Sequence, residues 1–128
     1  MIEKYFSNIA IHVDERPEDI PTETLSKIRM IEISDSENIT AVQSMIKKKN
    51  PGIIIVVRMK LNPDSPERAL RLVDEGAEII HFCADEYGFE YADKPLFIKD
   101  RIKDIHLCLV KKGMRDKVTI IAGGGVAM

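Results

Sequence analysis

Cysteine is scarce in this sequence. Cys83 and Cys108 are the only two among 128 residues, they stand far apart, and they form no CxxC pair. Two thiols so placed build no disulfide framework. They are too few for an iron–sulfur cluster held by this chain alone, and they lack the ligand spacing of a zinc motif. An excess of one charge is also missing. The chain has 19 basic and 21 acidic residues, a formal net charge of -2, which gives no electrostatic reason to expect nucleic acid or an anionic membrane as partner. No apolar stretch approaches the ~20 residues of a membrane-spanning helix, and Met1-Ile-Glu-Lys-Tyr-Phe6 lacks the apolar core of a secretory signal. With reduced cysteines, these absences lead to the expectation of a cytoplasmic protein. There is no low-complexity segment and no long charge block, and the spacing offers no legible Ser/His/Asp or Cys/His set for nucleophilic catalysis.

What the sequence does contain is a regular alternation. Hydrophobic residues make up 45% of the chain, enough for a globular core, and the length fits a single α/β domain spanning 1–128. Residues 1–29 form a less regular lead-in, with a short strand over Ile9–Val13 and one or two helical turns over Thr22–Ile28. From Met30 the pattern sharpens. Met30–Ser34 alternates as a strand, and Asp35 and Ser36 are N-cap residues. Ile39, Val42, Met45 and Ile46 then share a helical face, and Asn50-Pro51-Gly52 stops that helix. Ile53–Val57 is a continuous β-branched run, as in a strand buried on both faces. Ser65-Pro66 opens a helix with Ala69, Leu70, Leu72 and Val73 as its buried stripe, and Gly76 ends it. Glu78–Cys83 is a strand. A loop runs from Ala84 to about Phe97. Ile98, Ile102, Ile105, Leu109 and Val110 mark a helix that Gly113 terminates, and Val118–Ala122 is the last strand. This β-α-β-α-β-α-β order predicts a parallel sheet with right-handed crossovers.

In such folds ligands bind at the carboxyl ends of the strands. The sharpest feature there is the run Lys117-Val-Thr-Ile-Ile-Ala-Gly-Gly-Gly-Val-Ala-Met128, a strand passing directly into Gly123, Gly124 and Gly125. Glycine amides followed by a helix N-terminus make a phosphate site. Here no helix follows, so the chain reads as part of a phosphate-binding α/β protein cut where the site would be completed. The same glycines also read as a tight turn with no ligand. Lys60 lies near the end of its strand, where a lysine can reach a phosphate as a point charge. Arg58 shares its face, which in a barrel is the lumen. The alternative is two basic side chains snorkelling off the rim. Asp85, Glu86 and Tyr87 could handle protons but read first as a solvated loop turned by Gly88. His81, inside an apolar strand, reads as a hydrogen-bonded core histidine, and His106 as a surface residue.

Several of these segments carry a family resemblance. Ile98-Lys99-Asp100, His106-Leu107-Cys108-Leu109-Val110, Gly113-Met114-Arg115-Asp116-Lys117-Val118 and Gly123-Gly124-Gly125 together resemble the FMN-binding domain of glutamate synthase. There a "GLRD-(K/R)-V" segment leads into a strand and a Gly-Gly turn that holds the flavin phosphate. Pro51, the run into Lys60, and Gly76-Ala77-Glu78 follow the same order, so the resemblance covers Met30 to Val126. It implies a (βα)8 barrel, FMN as redox cofactor, an iron–sulfur cluster, and reductive formation of glutamate from 2-oxoglutarate and ammonia. Gly123, Gly124 and Gly125 would offer amides to the phosphate. Lys60, or Arg58, would face the flavin ring or a substrate carboxylate. Of the family's "GHDGG" loop, Ala84-Asp85-Glu86-Tyr87-Gly88 keeps Gly88. A full barrel takes ~250 residues, about twice this length, so the resemblance implies a partial, TIM-barrel-like α/β fold, an incomplete barrel inactive alone and without the cluster. A second reading is a non-catalytic half-barrel or flavodoxin-like module that pairs with itself or with a complementary subunit, because open sheets expose edges and apolar faces. A third is a module for some other small-molecule phosphate ligand.

Overall fold

The computed structural model describes residues 10–13 and 22–123. Among these, strands and helices alternate as expected of parallel βα repeats. They are β1 (Ala10–Val13), α1 (Thr22–Lys27), β2 (Met30–Ser34), α2 (Ile39–Lys49), β3 (Ile54–Lys60), α3 (Ser65–Asp74), β4 (Ile79–Cys83), α4 (Ile98–Lys111) and β5 (Thr119–Gly123), with a 3-10 turn at Arg115–Lys117 before β5. The strands lie in chain order. β1 runs parallel to β2, and β4 to β5 with Cys83 opposite Gly123. No helix among the described residues is long and apolar enough to cross a membrane. The chain forms two compact units, Met1–Val57 and Arg58–Met128, and β3 contributes to both.

In the first unit β2 buries Ile31 and Ile33 on one face, while Met30, Glu32 and Ser34 are half-buried on the other. Leu25, Ile28, Ile39 and Ile46 complete the core. Asn50 joins the two helices: its side-chain amide donates to the carbonyls of Leu25 (2.8 Å) and Ile28 (2.9 Å). The expected caps of α2 are displaced. The Ser36 hydroxyl donates to Asn38 Oδ1 (2.8 Å) and its carbonyl accepts the Ile39 N–H (3.3 Å). That arrangement is a turn preceding the helix, so Asn38 is the N-cap residue and Asp35 and Ser36 lie outside. The β-branched run shifts similarly. β3 begins at Ile54, which is exposed, and continues through Arg58 and Lys60, so burial on both faces is confined to Ile55–Val57.

In the second unit β4 buries Ile80 and Phe82, and α3 and α4 supply Ala69, Leu72, Val73, Ile105 and Leu109 to the core. Leu70, expected in the buried stripe of α3, is half-buried, and Val110 on α4 is exposed. α3 and α4 pack on each other, as helices from successive crossovers of one hand do. Both helices stop in the same way. The Gly76 N–H bonds the Val73 carbonyl and the Ala77 N–H that of Leu72. Gly113 and Met114 repeat this with Val110 and Leu109, the Schellman pattern. Ser65, expected as an N-cap, stands one residue inside α3 after Asp64. It is buried because its Oγ accepts the Asn62 N–H (2.9 Å), while Asn62 Oδ1 accepts the N–H of Asp64 (2.9 Å).

Candidate functional site

The site is built where β3, β4 and β5 end. The Leu61 N–H donates to the Cys83 carbonyl (2.8 Å), which in a parallel ladder sets Lys60 beside Cys83. Cys83 lies opposite Gly123. Lys60, Cys83 and Gly123 therefore form one row across three neighbouring strands. Continuing the register, Arg58, His81 and Ile121 form the row beneath it on the same face. This face is opposite the one on which Ile80 and Phe82 are buried. On β3, β4 and β5 within this unit it carries no carboxylate: its side chains are Arg58, Lys60, Ile79, His81, Cys83, Thr119 and Ile121.

His81 has a hydrogen-bond partner, as expected of it, and is half-buried, not fully buried. Strand alternation turns it away from the buried pair flanking it, with Nε2 3.8 Å from the Cys83 sulfur. Gly123 lies over it, and a Cβ at this glycine would come within 3.1 Å of His81 Nε2. His106 is exposed, and its Nδ1 accepts from Arg115 Nε (3.0 Å).

The segment between β4 and α4 is an ordered loop that folds back on the end of β3. Asp85 opens it: Oδ1 accepts the N–H groups of Tyr87 and Phe89 (2.9 Å each), an Asx turn. Gly88 follows with φ +84°. Its N–H donates to the Asp85 carbonyl (3.0 Å) and its carbonyl accepts the Ile98 N–H at the start of α4 (2.8 Å), so both of its backbone groups serve the turn and the helix end. Phe97 packs against it edge-to-face with Phe89, ring centroids 5.5 Å apart. The Tyr91 N–H then bonds the Leu61 carbonyl (2.7 Å) and its hydroxyl donates to the Ala84 carbonyl (3.4 Å). This places the Tyr91 ring 5.0 Å from Lys60 Nζ, a cation–π contact worth about 0.5–1 kcal/mol at an exposed position.

One buried ion pair anchors the loop. The Glu90 side chain is fully buried and receives Arg101 Nε on one oxygen and Arg101 Nη2 on the other (3.1 Å), while the N–H of Leu96 donates to it at 3.0 Å. Arg101 Nη1 also reaches Asp104 (3.2 Å). The guanidinium holds the Glu90 carboxyl below the usual glutamate range, against the opposing effect of burial. Sequence reasoning missed this pair. Its members lie eleven residues apart, one on a loop and one on a helix, and no local period links them.

Of the residues singled out from sequence, Lys60 and Gly123 come together on the rim row. Gly88 lies in the adjoining loop, with its amide and carbonyl engaged. Gly124 and Gly125 lie outside the described residues. Glu86 and Tyr87 are exposed on the loop, as a solvated segment should be. A separate open hollow of about 280 Å3 is lined by Leu70, Arg71, Asp74, Lys112 and Met114. It adjoins the C-terminal turns of α3 and α4, the end remote from the rim. Comparison with known protein families, curated proteins and solved structures gives no match.

Proposed function

We propose that the chain is an anion-binding parallel α/β module of the flavin-domain type it resembles, with FMN as ligand and the flavin phosphate at the carboxyl end of β5. The observation that carries this reading is the row Lys60–Cys83–Gly123. It sets a cation and a position without a side chain at the strand ends, on a face where the described residues of β3, β4 and β5 in this unit carry no carboxylate, and parallel sheets bind their ligands at those ends. The residues present fit an anionic group. Lys60 and Arg58 supply positive charge on that face, and Gly123 ends β5 with backbone alone beside the His81 imidazole. Gly124 and Gly125 would extend the amide set by resemblance. When bound, the flavin would supply redox chemistry. The chain's own residues would bind and orient it: Lys60 as point charge, Tyr91 as the ring that steadies Lys60.

The finer fold reading is an incomplete (βα)8 barrel. It is supported by strands in chain order and, within each unit, by neighbouring helices packed together. Such a part of a glutamate synthase-type oxidoreductase domain has no glutamate-forming activity alone, and a cytoplasmic setting suits its free thiols. The test is titration of the purified chain with FMN, followed by quenching of flavin fluorescence. Saturable binding at micromolar concentration is expected, weakened roughly tenfold by Lys60→Ala, the loss of one charge-assisted contact. A folded chain that leaves flavin fluorescence unchanged would refute it. Displacement by inorganic phosphate at equal strength would point instead to a general phosphate module.

One observation favours a second reading, assembly. Ile121 on β5 is 43% exposed on the same face, and a second copy or a complementary subunit would cover it. A monomer at high micromolar concentration that binds no hydrophobic dye contradicts that reading.

A further inference from the structure

Apart from any flavin, the second unit holds a cysteine and a histidine poised for nucleophilic chemistry. We infer that Cys83 is a reactive thiol, activated by His81 and directed by Arg58 and Lys60 toward electrophiles that carry a negative charge. Residues i and i+2 of a strand project from the same face, so His81 and Cys83 point the same way from β4, and Nε2 lies 3.8 Å from the sulfur. With the imidazole proton on Nδ1, Nε2 is an acceptor for the S–H. That is the thiol–imidazole relation of nucleophilic cysteines. Gly123 keeps a side chain off the imidazole, because any Cβ there would crowd Nε2 at 3.1 Å. The register of β3 on β4 brings Lys60 beside the thiol and Arg58 beside the imidazole. An anionic electrophile is therefore attracted to the sulfur that attacks it.

The step balances with a haloacetate. The sulfur forms a bond to the methylene carbon, the carbon–iodine bond breaks, iodide leaves, and the thiol proton passes to His81 Nε2. Cys108 provides an internal reference. Cys83 is 3% exposed whereas Cys108 on α4 is half-buried, so burial alone ranks Cys108 as the faster thiol.

The experiment treats the full chain with iodoacetate and, separately, iodoacetamide, and follows both cysteines by peptide mass spectrometry. Cys83 should react roughly tenfold faster than Cys108 with iodoacetate, a general-base contribution large enough to outweigh the burial of its thiol. The preference for iodoacetate over iodoacetamide should be greater at Cys83 than at Cys108. His81→Gln should slow Cys83 about tenfold while the Cys108 rate stays fixed. In urea the two native cysteines should react alike, a control that needs no variant. Faster reaction of Cys108 in the native chain would overturn the inference. So would His81→Gln leaving the Cys83 rate unchanged, and equal iodoacetate preference at the two thiols would remove the anionic selectivity.

Discussion

Gly88 shows how one residue can join a turn, a helix end and an aromatic pair. Its φ of +84° lies in the region that side chains rarely adopt, and a Cβ would stand 2.9 Å from Phe97 Cε2. Both backbone groups are spent, on Asp85 and on the first turn of α4. Gly88→Ala is therefore expected to cost about 2–3 kcal/mol, combining backbone strain with displacement of a packed ring. Gly113→Ala has the positive φ but meets no atom within 4 Å, so it should cost about 1 kcal/mol. Thermal or urea melts of the two variants check this, and equal losses would show that the Phe97 contact contributes nothing. At the same scale, Gly123 and Lys60 owe their interest to position, since each ends a strand on the same face.

The loop between β4 and α4 is the element on which the rim depends. It is held by the Glu90–Arg101 pair and by the Tyr91 N–H on Leu61. Removing one partner of a buried pair leaves a charge without compensation, so Glu90→Ala should destabilise the chain by about 3 kcal/mol. Replacing both members by apolar residues should recover much of that loss. The pair also fixes a pH dependence. The folded Glu90 value is depressed, so its contribution is present above the ordinary unfolded value of about 4.3 and is lost as pH falls through the lower folded value. Urea melts from pH 7 to pH 3 should show wild-type stability falling in that acid window and the apolar double variant losing less. Parallel curves would assign the acid loss to other carboxylates.

The elements are legible in the sequence because periodicity records burial. Ile39 and Ile46, Ala69, Leu72 and Val73, and Ile105 and Leu109 are core residues at helical spacing. Caps differ by one to three positions because Asn38 and Asp64 compete with Asp35, Ser36 and Ser65, and hydroxyl partners decide between them. Lys60 is legible as lying near the end of its strand and Gly123 as following one, and the structure makes each the last residue of its strand. That Cys83 lies between them is not legible, because it depends on register, which a single Leu61–Cys83 bond reveals. The relation of His81 to Cys83 follows from period two in a strand, but the apolar neighbours Ile80 and Phe82 masked it.

At the scale of the whole molecule there are two compact units that share β3. Each joins consecutive βα steps, and the rim row belongs to the second. The hollow near Leu70 and Met114 provides a competing place for a ligand at the other end of that unit. The proposed function puts an anionic ligand at the carboxyl ends of β3, β4 and β5. Amide chemical-shift mapping of the 15N-labelled chain titrated with FMN tests it most directly. Shifts that saturate together at Lys60, Leu61, Ala84, Tyr91 and Gly123, with Arg71 and Lys112 unmoved, are the predicted result. Shifts confined to Arg71, Asp74, Lys112 and Met114, or none at millimolar FMN, would contradict it.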